Sequence, residues 1–219
     1  MHRTMMLGTV AAVAIAVLAG CNQNTASTPA PTQTAASEPA PGTNSEALSA
    51  LQDAVAGGVG AVSAELVTTT KGFVEAAAMG DMYEVEASKL AAERAMASDV
   101  KTFAKAMIDA HTQTTMELKA ALKGSREAIE IPATLDDRHQ GMLDNLKGAK
   151  DADFDNRFIA QQTNAHNEAL ILMRGYAKDG DNAPLKAMAE KTAPAVQMHL
   201  DMIAEIERAH RTADTQASR

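Results

Sequence analysis

The chain of 219 residues has one cysteine, no tryptophan, two tyrosines and four phenylalanines. One cysteine excludes an intramolecular disulfide and any zinc or iron–sulfur site that needs two thiolates from the same chain. Few rings means no row of aromatic platforms for stacking bases. Basic residues are also scarce: 20 Lys and Arg face 28 Asp and Glu, a formal charge of -8 that repels a phosphate backbone. No nucleic-acid partner is expected. The hydrophobic 46% is carried mostly by Ala, Val, Leu, Ile and Met, enough for one ordinary domain.

What is present begins with an address label. His2 and Arg3 precede an apolar run from Met5 to Leu18, then the small residues Ala19 and Gly20, then Cys21. This is the layout of a secretory signal peptide over residues 1–20, and the run is shorter than the roughly 20 residues of a membrane span. Leu18-Ala19-Gly20-Cys21 resembles the bacterial lipobox. The resemblance implies cleavage before Cys21, a thioether-linked diacylglycerol on its sulfur and acylation of the new N-terminus. Two or more acyl chains anchor stably, at about 0.8 kcal/mol per buried methylene. Asn22 rather than Asp behind the cysteine implies, by the sorting rule of such lipoproteins, the outer membrane. The expected location is the bacterial cell envelope, facing the periplasm, with the lipid on Cys21 as the membrane contact.

Residues 21–70 read as a lipidated, disordered linker. Thr, Ala, Ser, Gln and Pro dominate to about Ser45, with Pro29, Pro31, Pro39 and Pro41 close together, too little apolar surface to offset ordering entropy. Leu48, Leu51 and Val55 then give some helical pattern, but Gly57, Gly58 and Gly60 interrupt it, so only a weak helix is expected there.

From 71 to 210 apolar residues recur at three and four, the period of amphipathic helices. The first expected helix covers Gly72 to Ala95, with Phe73, Ala77, Gly80, Ala87 and Ala91 on one face. The second is capped by Ser98 and stopped by Gly124, with Val100, Ala104, Met107, His111, Leu118 and Leu122 along its seam. A short extra helix, Leu135 to Leu146, lies in the connection to a third long helix, Ala152 to Lys178. The fourth runs from Pro184 to Ala209, leaving 211–219 as a flexible tail. The natural packing is all-α: an antiparallel four-helix bundle.

Polar residues interrupt the seams. His111 and His199 stand on core faces, His166 is plausible there, Glu84 shares the Gly80, Ala87, Ala91 face and Glu86 flanks it. Depth can be counted. Glu84 lies 11 residues before Ala95, His111 13 after Ser98, His166 14 after Ala152 and His199 15 after Pro184. At about 1.5 Å per residue the four fall within roughly one turn of a common level. One carboxylate and three imidazoles suit a single zinc, iron, manganese or copper ion. The same residues would also serve as a buried hydrogen-bond network that fixes helix register, and both readings stand on the sequence. Met107 beside His111 and Met202 beside His199 add thioethers that favour Cu(I), or else fill gaps in an aromatic-poor core.

A catalytic role is not expected. No strand-turn-helix nucleophile elbow is present, and Gly57 to Gly60 lacks the Lys-Ser/Thr of a phosphate loop. A di-iron site needs Glu three residues before its His, whereas Ile108, Thr163 and Val196 occupy those positions.

The stretch Phe73-Val74-Glu75-Ala76-Ala77-Ala78-Met79-Gly80 with Glu84-Val85-Glu86 and Lys89-Leu90-Ala91 resembles a bacterial family labelled domain of unknown function 4142. So do Val100 to His111, Met142-Leu143 with Leu146, Phe154-Asp155, Ala165-His166, and Pro194 followed by His199. The resemblance covers about 70–209 and implies a ferritin-like bundle on an exported or lipoprotein chain, with no activity attached. The chain departs from the pattern at Ala110, where an acidic residue is common, and at Phe158, where Tyr is common. The function expected is therefore a membrane-anchored bundle that binds a metal through its His/Glu layer. The alternative is a structural or interaction module in envelope stress response that contacts another envelope protein.

Overall fold

The computed structural model of the protein describes residues 44–123 and 128–217. The signal peptide, Cys21, the linker up to residue 43 and Gly124 lie outside them. The described residues form helices and no strand: α1 Asn44–Glu65, α2 Thr70–Arg94, α3 Ser98–Leu122, α4 Asp137–Gly148, α5 Asp151–Asp179 and α6 Ala183–Ala217. This is a helical bundle. Apart from the end of α6, helices α2, α3, α5 and α6 begin and end within a few residues of the expected positions, because the three-and-four spacing that marks them is the spacing that packs.

Local chemistry sets the ends. The Thr69 hydroxyl accepts from the Gly72 amide at 3.2 Å, and Asp136 accepts from the His139 amide at 2.8 Å, each meeting an amide that the first turn leaves unpaired. Ser98 does not cap α3. Its N-cap is Ala97, which makes no side-chain bond; the Asp155 carboxylate on α5 accepts instead from the amides of Met96 at 3.0 Å and Ala97 at 2.8 Å. A cap supplied from a distant helix leaves no local motif. The expected tail is also helical as far as Ala217. Nothing after Pro194 is Gly or Pro, so no residue stops α6.

The core is two apolar clusters. The first gathers Tyr83, Ala87, Val100, Phe103, Met107, Leu146, Phe154, Phe158 and Ile203, and the second gathers Phe73, Ala77, Leu118, Leu172, Tyr176 and Leu185. Every long helix from α2 to α6 passes from one cluster to the other, and a polar residue marks each crossing: Glu84, His111, His166 and His199, all buried. Met107 belongs to the first cluster and Met202 packs against it, so both methionines act as filling there.

The largest departure from the sequence reading is α1, a 22-residue helix where a weak one was expected. Two of its three glycines are where it touches α5. A Cβ at Gly57 would stand 2.7 Å from Cγ of Asn164, and one at Gly60 would collide with the Glu168 carboxylate and come within 2.6 Å of an Arg138 guanidinium nitrogen. Close approach favours glycine there, since any side chain would have to displace Asn164 or the Glu168–Arg138 pair. Asp53 on the same face is buried and accepts from Asn145 at 2.9 Å, Arg157 at 3.1 Å and Gln161 at 2.8 Å. Arg157 also donates to Glu46 at 2.6 Å. The opposite face stays open, with Leu48, Leu51, Val55, Val59, Val62 and Leu66 exposed.

Gly60→Ala is expected to destabilise the protein by about 1–3 kcal/mol, as overpacking does. A Cβ at Gly58 meets no atom within 4 Å, so Gly58→Ala is expected to stabilise by up to about 1 kcal/mol. Urea unfolding followed by circular dichroism separates the two, and a stabilising Gly60→Ala would contradict the docking of α1.

Candidate metal centre

α3, α5 and α6 each turn one histidine into the layer between the clusters. The ring centres of His111 and His166 are 5.5 Å apart, those of His166 and His199 5.3 Å, and those of His111 and His199 6.0 Å. One ring nitrogen from each lies within 4.8 Å of the others.

Neighbours decide which nitrogens are free. Nδ1 of His111 is 2.8 Å from an Asp81 oxygen. A carboxylate only accepts, so Nδ1 carries the proton and the lone pair of a neutral ring sits on Nε2. Nδ1 of His166 is 3.0 Å from the Gln162 carbonyl, another pure acceptor, so Nε2 of His166 is again the basic atom. That Nε2 lies 3.3 Å from Nδ1 of His199. Two nitrogens bound at about 2.0–2.1 Å to one tetrahedral ion stand about 3.3–3.4 Å apart. The spacing thus fits a metal as well as it fits a hydrogen bond between the rings.

Glu84 is buried at 2% exposure but is not among the three converging groups. It stands beside the proton-bearing side of His166, 3.6 Å from Nδ1. Both of its oxygens lack a hydrogen-bond partner, as do Nε2 of His111 and both amide atoms of Gln162. These five make up most of the buried side-chain atoms left unmatched among the described residues, and such atoms cost about 1–3 kcal/mol each. Glu86 is a correction. Two residues from Glu84, it points about 200° round the helix, is half exposed and pairs with Lys89 at 2.7 Å. Asp81 went unnoticed in the sequence, although it precedes Glu84 by three and so shares its face. Thr114 and Thr115 also donate to it, at 2.9 Å and 3.1 Å. A second missed group is His139, buried on α4, which donates to Asp136 at 2.8 Å and accepts from Arg138 at 2.9 Å.

The electrostatics hold two of the three imidazoles neutral. Burial, then the charges of His111 and His199, holds His166 down to about 3, and burial with the charge of His111 holds His199 down to about 4. Burial acts on His111 in the same sense, but the bond to Asp81 and the charges of Glu84 and Asp81 outweigh it and raise that group. Burial pushes Glu84 up to about 7, against the charge of His111.

Three buried histidines, two with the far nitrogen fixed by an acceptor, thus converge in one layer of a helical bundle. The chain belongs to the family described as Domain of unknown function (DUF4142), whose model matches residues 56–206. Compared with curated proteins and with solved structures, the chain matches none.

These shifts have opposite linkage signs. The two histidines, depressed from 6.5, leave the unfolded state with more protons between their folded and unfolded values, so there they add stability as pH rises. Glu84, raised from 4.5, removes stability as pH rises from about 4.5 to 7. Between pH 5 and 6 the metal-free Glu84→Gln variant should therefore gain stability more steeply than wild type, by up to about 1.4 kcal/mol per pH unit. Equal slopes in urea titrations would refute the assignment of Glu84.

Proposed function

We propose that the protein binds one transition-metal ion through His111, His166 and His199, within a ferritin-like, antiparallel four-helix arrangement of α2, α3, α5 and α6. The observation that carries this reading is the convergence of imidazole nitrogens whose opposite ring atoms are held by Asp81 and the Gln162 carbonyl. Metal-bound histidines are oriented by such partners, which fix the tautomer and raise ligand basicity. Imidazole suits zinc, copper and iron, whereas manganese prefers oxygen donors. Glu84 supplies negative charge beside the centre without being one of the three nitrogen ligands.

The same reading places the bundle in the cell envelope, tethered to the periplasmic side of a membrane, the outer one by the Asn22 rule, through lipid on Cys21. Support comes from the Leu18-Ala19-Gly20-Cys21 sequence and from the signal-peptide layout before it. The role is storage, buffering or presentation of the ion, or contact with an envelope partner, rather than turnover.

Mass spectrometry of metals in protein isolated without chelator or His-tag should find close to one ion per chain. His111→Ala and His166→Ala should lower metal affinity at least 100-fold, Asp81→Ala by about 10–100-fold as supporting groups do, and His139→Ala not at all. If metal is far below one ion per chain and indifferent to these changes, the layer is a structural network. The histidine variants would then lower only the melting temperature.

A further inference from the structure

Beside the three histidines lies a cavity of about 50 Å³. Ala77, Gly80, Ala165 and Leu172 line it together with the polar His111, His166 and Glu84. His199 is not part of its lining, so the cavity lies to one side of the group rather than around it.

Building on the metal reading above, we propose that the bound ion keeps a fourth, exchangeable position that opens into this cavity and takes a small neutral molecule: water, displaced by a diatomic gas. Three protein ligands on a tetrahedral ion leave one position for an outside ligand. A cavity holds one water once it has about 10–15 Å³ of such space, and a water occupies about 30 Å³ in the liquid. A space of about 50 Å³ thus accepts water or a diatomic molecule. Asp81 and Glu168 also line it, and with Glu84 they disfavour an anionic guest. Glu84 is buried with both oxygens unmatched, so it is available to accept a hydrogen bond from coordinated water. Nδ1 of His166 stands 3.6 Å from it, which leaves room for a further donor.

Gly80 gives access to the test. A Cβ built there meets no atom within 4 Å, so the first carbon of a side chain fits on that wall. The experiment loads the full chain with Fe(II) without oxygen, adds nitric oxide, and counts the iron–nitrosyl by electron paramagnetic resonance; a cobalt-loaded sample receives azide. The expected result is one nitrosyl per iron in wild type and no change in the cobalt spectrum with azide. Gly80→Leu should bind nitric oxide at least tenfold more weakly while keeping its iron, and Ala165→Leu should behave alike if Gly80→Leu does not fold. Bound iron with no nitrosyl signal, azide binding as strong as nitric oxide, or undiminished nitrosyl in the filled variants would overturn the proposal while leaving the metal reading in place. Failure to take up any metal would overturn both.

Discussion

Polar atoms buried between two apolar clusters must be matched, and that requirement organises this protein. Each unmatched group costs about 1–3 kcal/mol, in a molecule whose net stability is expected to be only about 5–15 kcal/mol. Asp81 meets one nitrogen of His111 and the Gln162 carbonyl meets one nitrogen of His166. Those bonds satisfy half of each ring and turn the other half inward. Structural satisfaction on the outside therefore produces a set of basic nitrogens on the inside. The unmatched remainder, Nε2 of His111 with Glu84 and Gln162, is concentrated where a cation and its ligand would supply partners.

The layer stays in register because α5 is held from several sides. Its Arg157 and Gln161 are fixed by Asp53 of α1, and its Glu168 forms a two-point pair with Arg138 at 2.7 Å and 2.9 Å. Asp155 caps the start of α3. These contacts set how far α5 is rotated and how deep it sits, and hence where His166 points. Gly57 and Gly60 let α1 come close enough for Asp53 to reach its donors. A change in α1 is thus expected to reach the histidines through α5 rather than by direct contact.

The sequence was most informative where spacing alone decides the outcome. Periodicity at three and four revealed the long helices, and counting residues from their ends placed His111, His166 and His199 at one level, where they meet. Counting depth does not settle rotation. Glu84 reached the layer but on the proton-bearing side of His166, and Glu86, two residues on, faces solvent. Helix α1 was underestimated because glycine has low intrinsic helix propensity, and its use for close packing is visible only once the partner helix is known. The Asp155 cap and the Asp53 network join residues more than 50 positions apart, so no local pattern announced them. Asp81 was recoverable: a carboxylate three residues before Glu84 on the same face is a natural orienting group for a facing histidine.

The central claim is that the buried nitrogens face one ion. X-ray absorption of the zinc-loaded protein tests this most directly. Three nitrogen scatterers at about 2.0–2.1 Å, with imidazole multiple scattering and one further oxygen, is the predicted shell. A shell made mainly of oxygens, or one with fewer than two imidazoles, would contradict the account.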